Sequence, residues 1–440
     1  MKRGLDMKRW MMIAAALLLA LALGAGLWFV RGMSPLDADE MQTEAGKDAV
    51  TAYGQLDEDG TLKIEQTFYL TNRTGAALEE IVLRLYANAS ASSAVKSLEA
   101  SINGDPVGAK IDEDDATLVT IARPWAKDEA IDLTLWTKIQ ADVDEGIAVV
   151  ALPVLASFRE GRWQKEPFDP LAGTLYAPAM DGELDVRYPK GWKAVFANGT
   201  RGLTLAVSQN ACVRWREIGG VAVSAMADNV FAANRLLDYA KTALESLEAI
   251  GLAYPFASLA VVGAQPVSAD GDVYSSMIVL NPEGKKEELI RRMTRLIAAQ
   301  TFGALVGSDA WNAPWLSRSL SSAAELIAYR QRKGQAAFES RYEAEIEVAS
   351  RVTRPFGVTV GADIWRFGGD MEMTRVLRDQ GGAMLLGIEQ AIGEAAFMAA
   401  LQLYIEENAG GFAGRAALER ALEAVSGSSW SGYLEDELAY

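Results

Sequence analysis

The sequence predicts an α+β chain of several domains: an antiparallel β saddle or sandwich, a mixed α/β domain and a helical C-terminal region, preceded by one transmembrane helix. Three observations carry this. Apolar residues alternate with period two across 51–210, the period turns helical near residue 229, and 375–440 reads almost wholly as helix. A length of 440 residues with half of them hydrophobic supports two or three cores and excludes wholesale disorder.

Lys2, Arg3, Lys8 and Arg9, offset only by Asp6, form a basic N-terminus over 1–9. Residues Trp10 to Val30 then run uncharged for 21 residues. A helix of that length spans about 31 Å, enough to cross a hydrocarbon core. The basic flank stays cytoplasmic, so the bulk of the chain is expected outside the cytoplasm. Trp10 and Trp28 sit where interfacial aromatics belong. The competing reading is a cleaved signal peptide with Ala20-Leu21-Ala22 as its cleavage site; the apolar run continues past it to Val30, which favours an uncleaved anchor. Residues 31–50 are polar and acidic and read as a linker.

The β-rich domain is expected over 51–210. Leu62, Ile64, Phe68 and Leu70 share one strand face, and Ile81, Leu83 and Leu85 repeat the pattern beyond the break Asn72-Arg73-Thr74-Gly75. Further strands are expected at 118–122, 131–136 and 184–188, with turns at Asp59-Gly60, Asn103-Gly104 and Asn198-Gly199. The acidic run Asp112 to Asp115 lacks calcium-loop spacing and reads as a solvated hairpin tip. The single cysteine, Cys212, reads as a small apolar core residue of a strand and excludes both an intramolecular disulfide and a multi-cysteine zinc cluster.

The next domain is expected over 211–370. Leu236, Leu237, Ala240, Leu244 and Leu247 mark a helix stopped by Gly251, residues 257–262 a short buried strand, and 287–306 and 316–330 two helices. The helical region, 371–440, is expected to break at Gly381-Gly382, Gly410-Gly411 and Gly427.

Composition excludes several functions. A net charge of −17 and a pI near 4.7 argue against nucleic acid as the main partner. The chain has no histidine, so Ser-His-Asp and Cys-His catalysis are impossible. It contains neither a G-x-S-x-G elbow nor a G-x-x-x-x-G-K-[ST] phosphate loop.

Scattered motifs nevertheless carry a resemblance. They are L-P-V-L-A-S-F-R-E-G-R-W-Q-K-E-P-F (152–168), G-L-A-Y-P-F-A-S-L-A-V-V (251–262), Gln300 with Phe302-Gly303, Trp311-Asn312, Trp315-Leu316, G-G-A-M-L-L (381–386), I-G-E-A-A-F (392–397) and V-S-G (425–427). In order and spacing the chain resembles the aminopeptidase N (membrane alanyl aminopeptidase) family of zinc peptidases, of gluzincin type, from about residue 51 to the C-terminus. The resemblance implies a thermolysin-like domain over 211–370.

It also implies a site. Members of that family hold zinc with H-E-x-x-H on one helix and a Glu on the next; two His at i and i+4 face the metal, and the Glu between them is the general base. Aligned on Gln300, Phe302 and Gly303, the first His position is Arg295, the base is Leu296 and the second His is Ala299. The third ligand, 19 residues on, is Arg318. The Glu that binds the substrate amine falls at Val273, within Gly271-Asp272-Val273-Tyr274, and the oxyanion-stabilising Tyr falls at Asp379.

Every catalytic position of the family is therefore replaced, and zinc is not expected as a cofactor. Zinc-bound water titrates near pH 7 against 15.7 for bulk water, and losing one oxyanion donor alone costs about 10²–10³ in rate. Asp270 and Asp272 could offer oxygens to Ca²⁺ or Mg²⁺, ions that activate water less strongly.

The sequence thus reads as a membrane-anchored, extracytoplasmic pseudopeptidase that binds a peptide or a membrane-protein partner. Binding would use Arg295, Arg318 and Tyr274, the two guanidiniums either clamping one carboxylate or each pairing with a local acid. The alternatives are an active metallopeptidase with an unconventional site and a structural subunit of a transporter-type membrane complex.

Overall fold

The computed structural model describes residues 48–90, 92–143, 146–348 and 355–439. The expected basic N-terminus, the membrane anchor at 10–30 and nearly all of the 31–50 linker lie outside these residues. The linker ends earlier than expected, because Ala49–Leu56 is already a strand.

A six-stranded sheet runs, edge to edge, Asp181–Arg187, Ala49–Leu56, Thr61–Thr71, Ala130–Ala141, Ser93–Ile102 and Asp105–Val107. Only the first pair is parallel. Its inner face packs on a four-stranded sheet that contains Ile81–Arg84 and Leu118–Ile121, and one core unites Leu62, Ile64, Phe68 and Leu70 with Ile81, Leu83 and Leu85. These are the residues that alternation placed inside, because successive side chains of a strand point to opposite faces. The hairpin at Asn103-Gly104 forms with both residues at positive φ, the two-residue turn geometry that asparagine and glycine favour.

The turn expected at Asn198-Gly199 does not form there. Both residues close the strand Lys193–Gly199, and Thr200-Arg201 makes the turn into Gly202–Ser208. Gly199 is needed for close approach instead: a Cβ there would lie 2.3 Å from the Ser275 carbonyl oxygen. Cys212 opens the strand Cys212–Ile218 but is only partly buried, so it is not a core residue.

The second layer is a five-stranded sheet in the order Cys212–Ile218, Val221–Ala227, Ser258–Gly263, Met277–Leu280, Asp272–Tyr274, with the short last strand antiparallel at the edge. Helices pack on it. Helix α1 (Val230–Ala249) starts where the Asn229 side chain accepts the Ala232 N–H at 3.0 Å, and stops at Gly251 at φ 82°. Helix α2 (Lys286–Ala299) carries Glu287 and Glu288 in its first turn, where the helix dipole favours negative charge, and buries Leu289, Ile290, Met293, Leu296 and Ile297. A widened π turn (Gln300–Leu305) follows it. Helix α3 (Trp315–Lys333) ends with Arg330, Arg332 and Lys333, which complement the opposite pole.

The C-terminal helices are α4 (Gln335–Arg341), α5 (Asp370–Met373), α6 (Gly381–Ile392), α7 (Glu394–Asn408), α8 (Arg415–Ser426) and α9 (Ser431–Ala439). The break expected at Gly381-Gly382 is absent: α5 runs through a π turn (Thr374–Gln380) into α6. These glycines serve packing. A Cβ on Gly381 would stand 2.1 Å from Ser319 Oγ and one on Gly382 2.7 Å from Ser322 Oγ, so α6 can lie against α3 only without side chains there. One hydrophobic core continues from Tyr176 to Leu438 across residue 370. Among the described residues no single helix is long and apolar enough to cross a membrane.

Candidate functional site

A cavity of about 170 Å³ opens between the β-rich layer, the edge strand Asp272–Tyr274, and helices α2 and α3. Helical spacing puts Arg295 and Ala299 one turn apart on the same side of α2, with Leu296 beside them, and all three line the cavity. Arg318, one turn into α3, lines it from the other side, and Val273 and Tyr274 line it from the edge strand. Six of the seven positions that the family resemblance pointed to thus meet in one place. Asp379 does not line it; it is buried beside the cavity and accepts from its neighbour Arg378, Nε to Oδ1 at 2.7 Å.

Gln300 aligns the edge strand. Its side chain is fully buried, donates to the Tyr274 carbonyl oxygen at 2.9 Å and accepts the Ser276 N–H at 2.8 Å. The π turn behind α2 is thereby tied to the strand that carries Val273 and Tyr274.

Arg295 does not reach across the cavity to Arg318. Its Nε and Nη2 grip Asp270 at 2.9 and 2.5 Å, and its Nη1 reaches Glu325 at 3.3 Å. Glu325, 1% exposed, also takes both terminal nitrogens of Arg341 at 2.8 Å. Asp270 receives Arg378 Nη1 at 3.4 Å and has Arg292 Nε at 4.0 Å. Burial alone would raise the Asp270 pKa; the charges of Arg295, Arg378 and Arg292 outweigh it and hold the carboxyl well below its usual range. Burial would likewise lower the Arg295 pKa, and Asp270 and Glu325 reverse this, keeping the guanidinium charged.

Arg318 donates to the Leu171 carbonyl oxygen, and burial lowers its pKa. Of the two arrangements expected for these arginines, a shared clamp or a local acid for each, Arg295 follows the second, locked in an ion-pair network, while Arg318 faces a backbone carbonyl. Glu325, Arg341 and Arg378 were not among the positions singled out from the sequence. Their partners across the site lie 16, 30 and 108 residues away, so no local pattern marks them.

The donors facing the cavity do not fit a zinc ion. Guanidiniums have no lone pair to offer, and the Asp270 oxygens are taken by arginines. Asp272 is turned to the Val267 and Ser268 N–H groups, each at 2.9 Å. Burial raises the Asp272 pKa against those hydrogen bonds. Among the described residues no three His, Cys, Asp or Glu side chains gather as a metal site. The same engagement leaves Asp270 and Asp272 poorly placed to share a Ca²⁺ or Mg²⁺ ion.

No family model matches the sequence, and no curated protein matches it in sequence. Solved structures do match. The M1 zinc metallopeptidase from Deinococcus radiodurans is 16% identical, with a TM-score of 0.60, over 89% of this chain and 93% of that one. A mutant of that enzyme bound to a Tyr-Ser-Ala substrate gives 15% and 0.59, and a two-domain M1 zinc metallopeptidase mutant bound to L-arginine gives 16% and 0.60, each with the same coverage. The chain has the M1 metallopeptidase fold. The resemblance read from the motifs holds at that level.

Proposed function

We propose that this protein is a non-hydrolytic variant of the M1 fold, tethered to a membrane by residues 10–30 with its bulk outside the cytoplasm, and that it binds a peptide or a protein partner in the cavity between α2 and α3. The observation that supports this best is the ion pair Arg295–Asp270: where the fold's zinc enzymes need a lone-pair donor, this chain carries a cation clamped by a buried carboxylate. A guanidinium cannot ligate zinc, Leu296 cannot accept a proton from water, and Val273 cannot pair with a substrate amine. What the site retains is a cleft of side-chain size with an apolar and aromatic wall and fixed charges, which suits recognition.

The test is metal analysis of the purified full-length protein beside its turnover of aminoacyl-coumarin substrates. Sub-stoichiometric zinc and no turnover are expected. Stoichiometric zinc together with turnover would return the protein to the active M1 peptidases. Pull-down with and without residues 1–30 checks the tether: a partner retained only by the full-length chain places binding beside the membrane rather than in the cavity.

A further inference from the structure

The cavity wall carries five charged residues, Arg295, Arg318, Arg378, Asp270 and Asp272, in a chain whose net charge is −17. The wall residues alone sum to one positive charge, and the carboxylates of Glu325 and Asp379, paired with Arg295 and Arg378, lie behind them. Four of the five are engaged. Arg295 and Arg378 share Asp270, Arg378 also pairs with Asp379, and Asp272 accepts two backbone N–H groups.

Arg318 is the exception. Its one hydrogen bond goes to the Leu171 carbonyl oxygen, and among the described residues no carboxylate stands within ion-pair distance of it. Asp370, Asp270, Asp272 and Asp169 act on it from farther away, and Asp370 is itself held by Ser268 Oγ at 3.1 Å and the Ala269 N–H at 2.6 Å. A guanidinium presents five N–H donors in a planar fork suited to a carboxylate, and the Leu171 contact uses one of them.

The rest of the wall combines apolar and aromatic side chains, Leu171, Phe168, Tyr176, Val273 and Leu296 among them, with hydroxyls such as those of Ser317 and Ser321. An engineered cavity of about 150 Å³ holds a benzene ring. One ring-sized group therefore fits in the 170 Å³ available here.

From this we infer that Arg318 anchors an anion subsite whose ligand is a monocarboxylate borne on an apolar or aromatic group. One free positive charge matches a carboxylate better than a phosphate dianion. Two sources present this chemistry, the C-terminal residue of a peptide and a free small carboxylic acid. The inference rests on the reading of the cavity as a binding site and names what it binds.

Calorimetry on the full-length protein in lipid nanodiscs tests it, with 3-phenylpropionate and the tripeptide Ala-Ala-Phe as probes, each beside its C-terminal amide. Each acid that fits is expected to bind at least tenfold more tightly than its amide. Arg318→Gln should bring acid and amide to the same affinity, and Arg318→Lys should keep part of the preference. A preference confined to the tripeptide assigns the subsite to peptide C-termini; one shared by 3-phenylpropionate assigns it to free acids as well.

Equal binding of acid and amide by the parent, no binding of either series, or a preference that survives Arg318→Gln overturns the inference. The parent comparison stands even where a variant fails to fold. Turnover of aminoacyl-coumarin would sink the non-hydrolytic reading alone, because the acid-to-amide ratio is measured independently of it.

Discussion

Arg295 and Asp270 form a two-nitrogen ion pair, at 2.9 and 2.5 Å, that ties helix α2 to the loop before the edge strand. Both side chains are largely buried, at 11% and 19% exposed. Removing one partner from such a pair strands a charge in a medium that solvates it poorly. Asp270→Asn is therefore expected to lower unfolding stability by about 3 kcal/mol, read by urea denaturation. An unchanged midpoint would mean that the pair does not hold the loop. The same contact sets an acid limit. The folded Asp270 pKa lies below its unfolded value, so its stabilisation is fully present above the unfolded pKa of about 3.9 and fades as pH falls toward the folded one. The parent should lose stability more steeply than Asp270→Asn from about pH 5 downward.

Glu325 joins Arg295 on α2 to Arg341 at the end of α4. Glu325→Ala leaves two guanidiniums short of a carboxylate and should cost about 3–5 kcal/mol. A double-mutant cycle with Arg341→Met should show coupling of about 1–3 kcal/mol, since the residues share two hydrogen bonds. Additivity to within about 0.5 kcal/mol would remove Glu325 from its role as the hub of this network.

Gly381 separates helix propensity from packing. Alanine in a helix interior is better than glycine by about 1 kcal/mol. Here its Cβ would stand 2.1 Å from Ser319 Oγ. Overpacking costs about 1–3 kcal/mol, so Gly381→Ala should be net destabilising in thermal melts, and Ser319→Ala should recover most of the loss. Stabilisation by Gly381→Ala alone would show that α6 has room to move from α3.

The spacing of the site can be tested by restoring donors. The combined variant Arg295→His, Ala299→His and Arg318→Glu places two imidazoles one turn apart and a carboxylate opposite, the donor set zinc takes. It is expected to retain one equivalent of zinc through gel filtration and to melt at a lower temperature after chelation, while the parent does neither. Failure to hold zinc would indicate that Arg295, Ala299 and Arg318 do not stand in the family's register.

Much of the fold was legible in the chain because its signals are local. Alternation marked Leu62 to Leu70 as one buried face, a stopping glycine ended α1, and the family resemblance aligned on Gln300 pointed to Arg295, Ala299 and Arg318, which line one cavity. Glycine misled twice for one reason. At Gly199 and at Gly381 the absent side chain makes room for a neighbour, and nothing local distinguishes that use from a turn. Glu325, Arg341 and Arg378 went unrecognised because the contacts that join them to the site, with Arg295, Glu325 and Asp270, span 30, 16 and 108 residues.

The sequence by itself determined which donor groups the chain carries: it contains no histidine, and residues 295 and 318 are arginines in any conformation. Only the tertiary structure decided which arginine is neutralised. Asp270, 25 residues before Arg295, and Glu325, 30 residues after it, reach that guanidinium through packing of a loop and two helices, whereas Arg318 meets a carbonyl oxygen 147 residues away. Charge pairing depends on distance in space, and spacing along the chain fixes that distance only within a single element.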